Sequence, residues 1–209
     1  MRISICFCIC FNCLLACIAQ EKSERYVETG LLRATSNLAI GFPTTSKGTN
    51  AYLSADMDYH VSNNISIRGE VYGFLSAFDT DIRFVHKHSG YLGLSYHITT
   101  SNHFDPYLGI QPGFVFSKLN PSNPGEELAI TASSFPLSVN TLVAFHGGFN
   151  YYANRFFNFY AHVKYEIGKH HSDITAIPIS EVKVAFGLSY MLWVRKDHFG
   201  FRKPVPIEE

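Results

Sequence analysis

The segment EVKVAFGLSYMLW, residues 181–193, alternates with period two. Val182, Val184, Phe186, Leu188, Tyr190 and Leu192 fall on one face, and Glu181, Lys183, Ala185, Gly187, Ser189 and Met191 fall on the other. Successive side chains of a β-strand point to opposite sides of the sheet, so this pattern marks a strand with one apolar and one polar face. Two architectures use such a strand. A soluble sheet buries the apolar face, whereas a membrane barrel turns it outward to lipid and keeps the polar face inside.

The same alternation recurs in seven more segments: 31–42, 51–60, 65–75, 90–98, 104–117, 138–151 and 156–169. On their polar faces lie Arg33, Asp56, Asp58, Arg68, Glu70, Lys164 and Glu166, which join Glu181 and Lys183 of the last strand. Pro112 interrupts the fifth segment; having no N–H to donate, it predicts a local bulge or bend. No helical periodicity appears beyond residue 20. The links 61–64, 99–103 and 152–155 are short and polar, while 43–50, 76–83, 118–136 and 169–180 are generally longer. In an up-and-down meander this alternation gathers the short turns at one end, as in outer-membrane barrels.

The composition of the two faces distinguishes the architectures. A soluble barrel would crowd its wet outer face with Lys and Glu, but these polar faces are rich in Gly, Ala, Ser and Asn and carry both signs of charge. Charged residues make up 16% of the chain, against roughly 25% in ordinary soluble domains. Small residues with balanced charges suit the narrow interior of eight strands. Tyr59, Tyr96, Tyr151 and Trp193 sit near the short-turn ends of their strands, where an interfacial aromatic girdle belongs. The expectation is an all-β, eight-stranded antiparallel up-and-down transmembrane β-barrel. With 17 basic and 17 acidic residues and no basic patch, no nucleic-acid partner is expected.

The first residues, MRISICFCICFNCLLACIAQ, read as a signal peptide: Arg2, an apolar run, then small residues, with cleavage expected after Ala19. A competing reading takes LLAC at 14–17 as a lipoprotein-processing site ending at Cys17, although leucine before the small residue fits it poorly. All five cysteines (Cys6, Cys8, Cys10, Cys13 and Cys17) lie here, so no disulfide framework or thiolate metal site is expected in the mature chain. The expected organisation is a signal peptide at 1–19, a barrel at 20–194 and a periplasmic tail at 195–209.

With IAQE at the signal end, DPYLGIQPGF at 105–114, GGFNYY at 147–152 and the closing GLSYMLW, the chain resembles small outer-membrane β-barrels of the OmpA/OmpX type, in particular the secreted barrel domains of Bacteroidetes. The last segment, with Gly187 followed by Leu188, Tyr190 and Leu192, is similar to the terminal-strand signal read by barrel-assembly machinery. The resemblance spans about residues 28–194 and implies a bacterial outer-membrane location, with outer-membrane lipid and lipopolysaccharide as surroundings. An even strand number then returns both mature termini to the periplasm. The chain departs from the pattern in the tail VRKDHFGFRKPVPIEE, because such barrels often end on the last strand's aromatic residue. That tail is too short to be a peptidoglycan-binding domain.

Residues with chemistry are few. His86 and His88 share a strand face, and His170, His171 and Asp173 cluster in the last long link. Such spacings can bind zinc, but strands four and seven are not neighbours, and rim positions facing water and headgroups explain these histidines as well. Neither a nucleophile elbow nor a spaced triad supports a lipid-modifying enzyme of the palmitoyl-transferase type. No catalytic, metal or cofactor-binding residue is therefore expected, and no cofactor. The polar-face charges suggest either a small pore or, in eight strands, an interior closed by ion pairs. The leading expectation is a structural or interaction protein, with a partner engaged through the external loops or the tail.

Overall fold

The computed structural model describes residues 26–80, 84–98, 100, 103–119, 137–154, 156–171, 176–195 and 198–199. The signal segment, Cys17, Asp173 and most of the tail lie outside the described residues.

The strands, in chain order, are β1 (Leu31–Pro43), β2 (Thr49–His60), β3 (Ile65–Phe78), β4 (Phe84–His97), β5 (Phe104–Leu119), β6 (Ser138–Tyr152), β7 (Phe157–His171), β8 (Ala176–Pro178), β9 (Glu181–Arg195) and β10 (His198–Phe199). Each of β1 to β7 pairs antiparallel with its successor, and β9 pairs with both β7 and β1. That double pairing closes an eight-stranded barrel. The short β8 extends the ladder at the far end of β7, and β10 folds back on the end of β9.

The alternation resolves in favour of the membrane architecture. Leu38, Leu53, Val71, Leu92, Phe114, Phe145, Phe159 and Leu188 are all exposed on the outer wall, and Phe186 is 75% exposed. On the same strands Arg33, Asp58, Arg68, Glu70, Lys164, Glu166, Glu181 and Lys183 are buried. A wall of this kind is stable against hydrocarbon and not against water, so the apolar face looks out. This is a transmembrane β-barrel, and the soluble-barrel alternative does not survive.

Two local expectations need correction. Pro112 makes no bulge: β5 stays in register with β6 through Pro112 opposite Val143, and with β4 from Tyr91 opposite Gly113 to Leu94 opposite Ile110. The strand simply forgoes the pairs opposite Leu92 and Gly93. Register shifts occur instead near the long-link end, at Ala51/Tyr52 between β2 and β3 and at Phe84/His86 between β4 and β5. In addition, β4 begins at Phe84 and not at Gly90, which adds six residues of strand and brings Lys87 into the barrel interior.

At the lapse beside Pro112 the two strands approach closely. A Cβ on Gly93 would lie 2.7 Å from the Gln111 Cα and would overlap the Ile110 carbonyl oxygen, whereas one on Gly73 would meet only the Leu53 carbonyl oxygen at 3.6 Å. Gly93→Val is expected to cost about 1–3 kcal/mol of barrel stability and Gly73→Val far less, measured by urea unfolding in lipid vesicles. On the outer wall, Phe186→Arg is expected to cost about 2–4 kcal/mol in the same assay, the penalty for a cation near mid-membrane.

Candidate functional site: the charged lumen

The inward face of every strand contributes to one buried polar core. Near the short turns, Arg33 of β1 pairs with Asp58 directly opposite on β2, and its other amino group reaches Asp105 of β5 at 3.4 Å and the Tyr152 hydroxyl at 3.2 Å. Asp105 also accepts from the Tyr152 hydroxyl (3.0 Å) and the Asn150 amide (2.9 Å). Tyr26, ahead of β1, stacks on Tyr152 with ring centroids 5.4 Å apart and closes this end.

In the middle, Arg68 of β3 holds Asp56 at 3.2 Å and Glu70 at 2.6 Å, and its guanidinium lies 5.0 Å from the centre of the Tyr107 ring. Lys164 of β7 pairs with Glu70 and donates to the Gln111 side-chain oxygen at 2.7 Å. Toward the long links, Lys183 of β9 reaches Glu166 at 2.8 Å, and Lys87 of β4 reaches Glu181 at 2.7 Å. Glu181 is further held by the Asn50 amide and the Tyr52 hydroxyl, each at 2.7 Å, and Tyr91 donates to Glu166. Aromatic faces complete the upper layers: Lys183 lies 4.4 and 4.3 Å from the Tyr52 and Tyr72 ring centres, and Lys164 lies 3.8 Å from that of Tyr91.

Across neighbouring strands the register often sets like charges face to face. Asp56 lies opposite Glu70, Lys164 opposite Lys183, and Glu166 opposite Glu181. Such pairs repel. Relief comes from side chains that cross the lumen: Arg33 to Asp105, Lys164 to Glu70 and Lys87 to Glu181 each join strands four places apart around the eight-strand ring, hence on opposite walls. These three crossings lie at three levels.

All nine charged residues expected inside are brought together here. Lys87 and Asp105 join them. Lys87 was hidden because His86 and His88 around it made the alternation look weak before Gly90; Asp105 stood in plain alternation with Tyr107 but next to a Pro, where it read as a strand start. His86 and His88 themselves are outward, with ring centroids 5.5 Å apart, and His170 is buried inside on Ser117 (2.8 Å), so these histidines do not form one site. Tyr59, Tyr96 and Tyr151 are exposed on the outer wall at the short-turn end; the Trp193 side chain lies outside the described residues.

One arrangement in the lumen has the connectivity of a hydrolase triad: Ser66 Oγ lies 2.9 Å from His97 Nε2, and His97 Nδ1 lies 2.8 Å from Asp105 Oδ1. Ser66 is 0% exposed, Asp105 is shared with Arg33, and no substrate can approach the hydroxyl. Ser–His pairs recur inside the barrel, in Ser95–His146 (2.9 Å) and Ser117–His170. His146 reaches Ser95 by lying over Gly109, where a Cβ would come within 2.6 Å of its ring. The recurrence identifies a packing device for the lumen and not a nucleophile.

An eight-stranded transmembrane barrel with an ion-paired interior is the class that this geometry defines. Among solved structures the chain is similar to the outer membrane protein OprG from Pseudomonas aeruginosa, with 15% identity and a TM-score of 0.58 over 80% of this chain and 98% of that one. It is also similar to neisserial surface protein A, NspA (12%, TM-score 0.57, 77% and 95%), and to the N-terminal β-barrel domain of Pseudomonas aeruginosa OprF (13%, 0.53, 78% and 98%). At these identities the likeness is one of fold. No protein-family model and no curated protein matches the sequence.

Lys87→Met would leave buried Glu181 hydrogen-bonded to the neutral Asn50 and Tyr52 alone, with Lys183 the cation still acting on it from farther off. Removing one member of a buried pair costs about 3–5 kcal/mol, so Lys87→Met is expected to unfold at markedly lower urea than wild type. The double variant Lys87→Met/Glu181→Gln is expected to recover part of that loss, since no buried charge is then stranded.

Proposed function

We propose that this chain is a bacterial outer-membrane barrel whose interior is a structural plug and whose biological contacts are made at its surfaces. The observation that carries this reading is the set of three lumen-crossing ion pairs, Arg33–Asp105, Lys164–Glu70 and Lys87–Glu181. Among the described residues, each of the eleven charged groups on the inward faces has an opposite charge within 4.0 Å. Opening a conduit would strand several of these charges in a low-dielectric interior, which is strongly unfavourable. The space beside Asp56, between Asn37, Ser54, Tyr160 and His162, has no room for a water molecule.

In this reading residues 1–19 direct export, the final strand is recognised by assembly machinery, and both mature ends lie in the periplasm. Tyr59, Tyr96 and Tyr151, with Trp193, mark the periplasmic headgroup level, while lipopolysaccharide surrounds the opposite end. The connections 120–137 and 172–180 and the tail 195–209 are then the segments offered to partners. The affinity to the Bacteroidetes barrels rests on the sequence resemblance.

Planar-bilayer recording tests the plug. The purified barrel is expected to show no large, steady conductance, and a stable open channel of porin size would overturn the reading. Fractionation tests the location: the protein should sediment with outer membrane and shift in gel mobility on boiling, because every ladder bond closes on itself. Recovery as a free periplasmic protein would refute it.

A further inference from the structure

The floor of the lumen holds polar atoms that the ion-pair core does not use. His60, at the end of β2, is 0% exposed, and neither of its ring nitrogens has a hydrogen-bond partner. Among the described residues no other side chain has both of its polar atoms buried and unpartnered in this way. The His60 ring lies against His97, with centroids 4.4 Å apart. Asp58, two residues earlier on the same inward face, gives Oδ2 to Arg33 and leaves Oδ1 buried without a partner. A ligand atom from each of Asp58, His60 and His97 falls within 4.8 Å of the others.

We propose that Asp58, His60 and His97 form a binding site for a divalent transition-metal ion of the zinc type, held inside the barrel beside the short turns. Two imidazoles and a carboxylate are a ligand set that such ions take, with a water or other oxygen in the fourth place. The outer shell is already arranged for it. His97 Nδ1 lies 2.8 Å from Asp105 Oδ1, so a proton on Nδ1 is donated to the carboxylate and Nε2 is left unprotonated, its lone pair accepting from the Ser66 hydroxyl until an ion displaces that hydrogen bond. This is the carboxylate–histidine pairing that orients metal-bound imidazoles. Nε2 lies 3.9 Å from Asp58 Oδ2, the oxygen that Arg33 holds, and the Ser66 hydroxyl is a neutral oxygen beside the site. Ligand atoms around a tetrahedral ion stand roughly 3.4 Å apart, so small side-chain rotations bring the three together. Arg33 pairs with Asp58 Oδ2 and with Asp105, and Arg68 stands 4.0 Å from the same Oδ2, so the oxygen open to the ion is Oδ1, which has no hydrogen-bond partner.

The site is sealed by the strands, so the ion enters as the barrel forms. The untagged mature chain is unfolded with chelator, refolded in detergent with Co²⁺, and desalted. Wild type is expected to retain about one equivalent per chain with the visible absorption of four-coordinate Co²⁺. His60→Gln and His97→Gln are each expected to weaken retention at least about tenfold. His86→Asn/His88→Asn, which removes the outward histidine pair, should bind as wild type does. Absence of retained metal in wild type would overturn the site and leave an ordered water on His60. Retention that survives both inner substitutions, or that disappears with the outer pair, would overturn it equally. If the inner variants do not fold, X-ray absorption on the His86→Asn/His88→Asn variant loaded with Zn²⁺ decides, with two imidazoles at the metal supporting the site and fewer refuting it.

Discussion

Everything in this molecule depends on closing the ladder between β9 and β1. In hydrocarbon there is no water to satisfy a free strand edge, so a sheet can cross a membrane only as a ring. The pairing of Leu31–Pro43 with Glu181–Arg195, together with β9 on β7, removes both edges at once. Once the ring exists it divides every strand into a lipid face and an enclosed face. The outer face needs only apolar bulk. The inner face is confined to the small cross-section that eight strands enclose, just wide enough for side chains to fill.

The filling is electrostatic, where a soluble core would use methyl groups. Desolvating a charge is costly, and a buried pair is not in itself a source of stability. Its value here is organisational. With like charges opposite one another on adjacent strands, as at Lys164/Lys183 and Glu166/Glu181, a side chain gains by reaching to the far wall. The crossings tie walls that share no backbone hydrogen bonds with one another. Tyrosine hydroxyls and faces take up what the charges leave, with Tyr52 and Tyr91 on carboxylates and Tyr72 beneath Lys164 and Lys183.

The floor of the barrel differs in kind from the layers above it. Upward from Arg68 the cations and carboxylates meet one another directly, and the side chains left over are mostly single atoms. Around His60 a whole imidazole and one carboxylate oxygen are left over together. Single unpartnered atoms occur higher in the lumen, on Tyr107, His146 and His162 among others, but among the described residues only His60 has both ring nitrogens left over, and it lies where three metal-ligating groups meet.

Period two along the chain determined the strands, their number and their two faces, because alternation is a local property and lipid imposes it on every strand alike. It also placed nine of the eleven interior charges among the described residues. The two it missed were masked locally: Lys87 by a start of β4 that looked irregular between outward histidines, and Asp105 by its place at a strand entry beside Pro106. Pro112 misled in the other direction, since its lost donor needed only a lapse in pairing with β4 and not an extra residue. What period two cannot contain is the stagger around the ring, which decides which levels of opposite walls coincide. Arg68 and Glu70 are two residues apart and do pair, yet Lys164 and Glu166, equally spaced, turn to Glu70 and Lys183 instead. Nor does the spacing of Asp58, His60, His97 and Asp105 suggest a cluster, for those residues meet only because β2 and β4 end, and β5 begins, at one level. The alternation belongs to each strand alone, and the pairing and the site belong to the closed barrel.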